Sequence, residues 1–177
     1  PFLLCNQVGG NDDLLFDGRS IAGWPNGTVV QGPAWCSGIL LIDIENPEAS
    51  SWISLENETA DLEIVPRDGQ PTFPTKGQDL LSAVTIGLAD YCRKSGIGKI
   101  VLGMSGGIDS AVCAAIACEA VGPENVLGLA MPSRHSSDHS IEDAKATAEA
   151  LGMELQILPI NEIHSSVDET LENELNS

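Results

Sequence analysis

The stretch Gly103-Met104-Ser105-Gly106-Gly107-Ile108-Asp109-Ser110 stands between two runs of different length and pattern. Before it, Lys99-Ile100-Val101-Leu102-Gly103 is a short apolar run of strand length. After it, Asp109 to Val121 is helix-length and apolar almost all round, which predicts a buried helix. A glycine-rich turn from strand to helix sits at the carboxyl end of the strand, where open α/β sheets take their ligands. Adjacent glycines let backbone N–H groups come close to a phosphate. Ser105 and Ser110 add hydroxyls, and the helix points its positive end at the same spot. With no Lys before Ser110 this is not the GxxxxGK[ST] loop, nor is it a dinucleotide GxGxxG. Asp109 instead places a carboxylate beside the phosphate cradle. It would repel phosphate unless Mg²⁺ stood between them, and Mg²⁺ is held by one or two carboxylates plus phosphate oxygens. The residues thus suggest a magnesium–nucleotide site for pyrophosphate. The plain alternative is a βα turn whose serine and aspartate only cap the helix.

The pattern continues on both sides. Upstream, Leu80, Leu81, Val84, Leu88 and Tyr91 fall on one helical face. Downstream, Val126–Met131 is a second strand, Ser140 with Asp143 forms a capping box opening a helix to Leu151, and Leu155–Ile160 is a third strand. Ile163, Val167, Leu171 and Leu175 mark a last helix, whose acidic stretch from Asp168 to Glu174 reads as a solvated face. Strands alternating with helices predict a parallel sheet in an α/β doubly wound fold over residues 77–177. Residues 1–45 are different, with strands at Asp13–Gly18 and Gly38–Ile44 and a hairpin signal at Asn26-Gly27. They form a β-rich end too small to hold a core alone. Residues 46–76, punctuated by Pro47, Pro66, Pro71 and Pro74, read as an extended linker.

Composition narrows the class. Asp and Glu number 26 against 8 Lys and Arg, a net charge of −18, with 42% hydrophobic residues. A core is available, but the clustered positive charge that nucleic acid or an anionic membrane requires is missing. No apolar run reaches membrane-span length, and no signal peptide opens the chain. Five cysteines with no CxxC pair indicate neither a disulfide framework nor a zinc site, and a reducing, cytoplasmic setting. Cys5 reads as packing rather than a nucleophile. His135 and His139 read as loop residues rather than a metal pair. Arg134 suits a phosphate or carboxylate, or a surface pair with Asp138. Asp12, Asp13 and Asp17 read as a solvated turn, and Trp24, Trp35 and Trp52 as packing. The chain begins at Pro1 and stops within a helical pattern, so it is expected to be a piece of a longer protein, inactive and poorly stable alone.

Ser105-Gly106-Gly107-Ile108-Asp109-Ser110 resembles the SGGxDS loop of ATP-dependent adenylating enzymes. Met131-Pro132-Ser133-Arg134 with Ser140-Ile141-Glu142-Asp143-Ala144 resembles the segment after the second strand of NAD⁺ synthetases. Asn6-Gln7-Val8-Gly9-Gly10 through Ser20 resembles the late part of the nitrilase-like glutaminase domain fused to them. Together they resemble glutamine-dependent NAD⁺ synthetases. The resemblance implies an adenine nucleotide alpha hydrolase-like sheet, preceded by the end of a nitrilase-like αββα domain. It implies ATP and Mg²⁺, with Gly103, Met104, Ser105, Gly106, Gly107, Ile108, Asp109 and Ser110 around the phosphates and Asp109 on the metal. Met131 and Ser133 would lie near the adenosine. Deamido-NAD⁺ and ammonia from glutamine would be the substrates, and the complete enzyme a homo-oligomer. The family's glutaminase triad and its GTGNKSE-like stretch have no counterpart in this chain, so no catalytic residue is assigned. Two alternatives stand: another ATP-pyrophosphatase amide ligase of the GMP synthetase type, and a non-catalytic nucleotide-binding module.

Overall fold

A computed structural model describes residues 1–54, 65–66, 75–133 and 138–175. It divides into two compact units, Pro1–Tyr91 and Cys92–Ser177.

In the first unit, β1 (Phe2–Leu4), β4 (Ile21–Gly23) and β5 (Val29–Gln31) form an antiparallel sheet in the order β1-β4-β5. The Asn-Gly signal is a true hairpin, pairing Gly23 with Val29 and Ile21 with Gln31. Gly27 takes φ +89°, and the Asn26 side chain accepts the Thr28 N–H at 3.0 Å, as an Asx turn requires. β2 (Val8–Asn11) and β3 (Leu14–Asp17) form a second hairpin. β6 (Gly38–Leu41) pairs with β7 (Ser51–Ser54), which pairs with β8 (Val65–Pro66). Thus part of the stretch read as extended linker is structured, with a 3-10 turn at Pro47–Ala49 and a strand behind it. The rest, 55–64 and 67–74, lies outside the described residues.

The remaining elements are α1 (Lys76–Ser95), β9 (Ile100–Gly103), α2 (Ile108–Val121), β10 (Val126–Ala130), α3 (Asp138–Leu151), β11 (Glu154–Ile157) and α4 (Asn161–Leu175). The last three strands make a parallel sheet in the order β11-β10-β9, as the alternating pattern predicts. β10 is central and alternates cleanly: Val126, Gly128 and Ala130 are buried. Removing one such valine from water contributes about 1.5–3 kcal/mol. Ala114, Ala117 and Cys118 of α2 and Ala144 and Ala148 of α3 are buried too. Their small side chains let both helices approach the sheet and each other. Burial pushes the Cys118 thiol up, and its Sγ lies 3.7 Å from Met153 Sδ. α3 ends where the sequence places a glycine: Gly152 at φ +71°, with Met153 N–H donating to Ala148 O at 3.1 Å, closes a Schellman cap.

Three expectations need correction. α2 is buried on one face only; Ile108 is 76% and Val112 48% exposed. Its uniform apolarity marks a helix with two apolar faces, only one of which the described residues cover. On α1 the apolar face carries Leu80, Leu81, Val84 and Tyr91, which are exposed, and Leu88, which is half-buried. Hydrogen bonds leave from the other face, made by Asp79 and Asp90. Finally, α3 starts at Asp138, so Ser140 stands inside its first turn rather than at the cap, and His139 is helical, 3.7 Å from Glu142.

Candidate functional site

The loop after β9 folds on itself through its serines. Ser110 Oγ donates to Gly107 O at 2.9 Å, which uses its only proton. It therefore accepts from the Ser105 hydroxyl at 3.1 Å and from Ser105 N–H at 3.3 Å. Ser105 Oγ in turn accepts the Gly107 N–H at 3.2 Å. The loop is thus held in shape by its own hydrogen bonds. Gly107 is the N-cap of α2 and offers no side-chain cap. The first-turn N–H groups therefore face outward, a ready anion site.

Gly106 fixes where this loop lies. Its φ is +77°, and a Cβ there would fall 2.3 Å from Ser140 O and 2.8 Å from Ser140 Cα. Both the conformation and the space demand glycine. The backbones of the loop and of the first turn of α3 are consequently in direct contact. A cleft of about 310 Å³ opens beside them at the carboxyl edge of the sheet, lined by Gly103, Met104, Ser105, Leu129–Pro132, Ser140 and Ile141. That volume is at the small end of ligand pockets.

Among the residues singled out from sequence, Gly103, Met104, Ser105 and Met131 line this cleft. Met104 is only 4% exposed and also packs toward Gly128 in the core. Gly106, Gly107, Ile108, Asp109 and Ser110 form the adjoining loop and first turn of α2, with Asp109 exposed. Ser133 is half-buried just past β10. Arg134 and His135 lie outside the described residues. Ser140 and Ile141 are additions that sequence reasoning missed. Paired glycines signal a close approach, but not which backbone approaches.

The first unit holds a larger cavity of about 500 Å³, lined by residues that include Leu3, Leu4, Cys5, Ile39 and Trp52. It lacks the glycine loop and helix terminus of the smaller cleft. Cys5, read as packing, is exposed.

Asp17, read as a solvated turn, is engaged. It pairs with Arg19 and accepts Asn6 Nδ2 at 3.0 Å.

The fold and loop define the class: an α/β, doubly wound unit with a glycine loop at the carboxyl edge of a parallel sheet. Residues 80–177 match the family described as NAD synthase. A glutamine-dependent NAD⁺ synthetase from Synechocystis is 42% identical over 172 residues, covering 97% of this chain and 28% of that protein. One from Thermotoga maritima is 38% identical, covering 94% and 32%. The solved structure of glutamine-dependent NAD⁺ synthetase from Acinetobacter baumannii, in complex with ADP, superposes with a TM-score of 0.77 at 31% identity. It covers 99% of this chain and 31% of that one. NMN synthetase from Francisella tularensis superposes at 0.52 and 25% identity over 56% of this chain. The chain belongs to the NAD synthase family. The expected fold class holds, with the β-rich end of a nitrilase-like domain preceding the parallel sheet. The chain spans about 30% of the length of the curated relatives it matches. No helix among the described residues is long and apolar enough to cross a membrane.

Proposed function

We propose that this chain is the central part of a glutamine-dependent NAD⁺ synthetase, joining the end of its glutaminase domain to the nucleotide edge of its synthetase domain. The observation that carries this is the Gly106 loop locked against Ser140 beside an uncapped helix N-terminus. The relative from Acinetobacter, which superposes on almost the whole chain, holds ADP. In the complete enzyme the carboxylate of deamido-NAD⁺ attacks the α-phosphorus of ATP, releasing pyrophosphate. Ammonia from glutamine then displaces AMP and gives NAD⁺.

The chain's part in this is binding and orientation. Gly106 and the first turn of α2 supply N–H donors to the phosphates, and Ser105, Gly107 and Ser110, bonded to one another, hold the loop in the shape that wraps them. Met131 and Ser133 lie toward the adenosine. Asp109 suits a Mg²⁺: it is an exposed carboxylate at the loop, with no ion pair to it among the described residues. Bound there, the metal would neutralise phosphate charge. That the first unit belongs to the same enzyme is supported by relatives matching 97% of the chain, whereas the NMN synthetase superposes on 56%. A GMP synthetase type and a non-catalytic module have no such support. We read the setting as cytoplasmic and the complete enzyme as a homo-oligomer.

The test is NAD⁺ formation by the full-length enzyme from deamido-NAD⁺, ATP and glutamine. Asp109→Asn is expected to lower kcat about 10²-fold, as loss of an electrostatic stabiliser does. Unchanged turnover, or amidation of another acceptor only, overturns the proposal.

A further inference from the structure

α1 presents a puzzle of ownership. The family match starts at residue 80, within this helix, yet the helix packs as far as Tyr91 with the upstream β unit. Little of its apolar face is covered: Leu80 is 64% and Tyr91 62% exposed, and Leu88 is half-buried. Two carboxylates on the other face anchor it. Asp79 Oδ1 accepts a hydrogen bond from Arg19 Nη2 at 2.5 Å and one from Trp35 Nε1 at 2.6 Å. Arg19 also pairs with Asp17 and lies 5.8 Å from the centre of the Trp35 ring. Asp90 Oδ2 accepts the Gly10 N–H at 2.8 Å. Asp79 and Asp90 are eleven residues apart, about three turns, and so share one face of the helix. Gly87 lies between them on that face; a Cβ there would sit 3.8 Å from a Leu15 methyl.

The upstream side is shaped to meet them. Arg19 and Trp35 both adopt left-handed backbone, φ +51° and +61°, a conformation that costs any residue with a Cβ. Backbone bonds brace the two: Arg19 N–H donates to Pro33 O at 3.1 Å, and Trp35 N–H to Asp17 O at 2.9 Å. Both strained residues present their side chains to the same carboxylate oxygen. Gly9 is held to glycine by its φ of +109°, and a Cβ there would displace the Asp90 carboxylate, whose Oδ2 would be 2.4 Å away. Strain at two positions and an obligatory glycine at a third converge on the face of one helix.

We infer that Arg19, Trp35, Asp79 and Asp90 form a polar latch through which the upstream β unit positions α1, the first helix of the synthetase region. They are positioning residues, remote from the glycine loop in sequence. The inference rests on the proposed function, since its consequence is a coupling one. Ammonia released by an upstream glutaminase reaches the synthetase centre efficiently only if the two are held in register, whereas ammonia supplied from solution bypasses that requirement.

The experiment uses the full-length enzyme with Asp79→Ala, Asp90→Ala and Trp35→Phe, the last removing the indole donor while keeping an aromatic ring. It reads glutamine hydrolysis, NAD⁺ formation from glutamine, and NAD⁺ formation from ammonium chloride. In each variant the expected result is a fall of about fivefold or more in NAD⁺ formed per glutamine hydrolysed, the scale of a typical coupling between sites. Ammonia-driven synthesis should stay within about twofold of the parent on the same reasoning. An unchanged ratio in Trp35→Phe, with ammonia-driven synthesis intact, overturns the latch. Amide hydrogen exchange tells the two proposals apart. A parent that makes no NAD⁺ from either nitrogen source sinks the proposed function, while the latch still predicts faster exchange at Gly10 in Asp90→Ala; unchanged exchange there sinks the latch alone.

Discussion

Gly106→Ala tests the central contact of the site. The added methyl meets two costs. At φ +77° a residue with a Cβ loses roughly 1–2 kcal/mol relative to glycine. The methyl would also fall 2.3 Å from Ser140 O and 2.8 Å from Ser140 Cα, and both atoms are helix backbone that cannot rotate aside. Overpacking of this kind costs about 1–3 kcal/mol. Together they come to about 2–5 kcal/mol, a large part of the stability of an ordinary domain. Gly152→Ala is the matched control. It lies in the same unit at φ +71°, but a Cβ there meets nothing within 4 Å. It should therefore lose the backbone cost alone, roughly 1–2 kcal/mol. The assay is urea denaturation of the full-length enzyme, with ADP titrated into each variant by calorimetry. Gly106→Ala is expected to be the less stable of the two and to bind ADP more weakly, because the loop must lift from α3. Equal stability in the two variants, with ADP affinity unchanged, would refute the close approach and the role built on it.

Gly128→Ala should destabilise by about 1–3 kcal/mol, acting on the cleft through Met104 and not through the contact of Gly106 with Ser140. Its methyl would come within 2.8 Å of Met153 Cε, 2.9 Å of Met104 Cγ and 3.0 Å of Leu155 Cδ1. The urea midpoint measures it, and the cost should stay below that of Gly106→Ala, since methionine ends can move aside. The latch has an acid limit. Hydrogen bonds from Trp35 and then Arg19 hold the Asp79 carboxyl below its ordinary range, against a small opposing effect of burial. A depressed folded value means that its stabilisation is fully present above the unfolded carboxylate value of about 3.9 and is lost as pH falls through the folded one. Thermal melts of the parent and Asp79→Ala should therefore differ at pH 7 and converge below about pH 4. A difference that persists unchanged at pH 2.5 would show that the charge is not what matters.

Much of the second unit is legible in the sequence because its signals are local. A strand-length run, a glycine turn and a helix-length run at residues 99–121 are enough to order β9, the loop and α2. Gly96 and Gly152 follow their helices where a left-handed cap is needed, and both take positive φ. The Asn26-Gly27 hairpin is just as local. The loop Ser105 to Ser110 is legible for the same reason: it is one contiguous segment, which lies between β9 and α2 and folds on itself through its serines.

What the sequence left open concerns partners distant along the chain. Ser140 is thirty-four residues from Gly106, and nothing in its neighbours says that its backbone touches the loop. Asp17 reads as a solvated turn and Trp35 as packing, and Arg19 and Asp79 carry no local signal of their own, yet the four make one cluster. The hydrophobic pattern of α1 marks one face while its hydrogen bonds leave from the other, because periodicity reports which side of a helix is apolar and not which side is covered. Residue order along the chain determined the elements, the glycine loop and the chemistry it invites. Tertiary structure alone decided which backbone closes on that loop and which carboxylates hold α1. Both depend on close approaches between chain segments, set by steric fit and hydrogen-bond geometry, that no local pattern encodes.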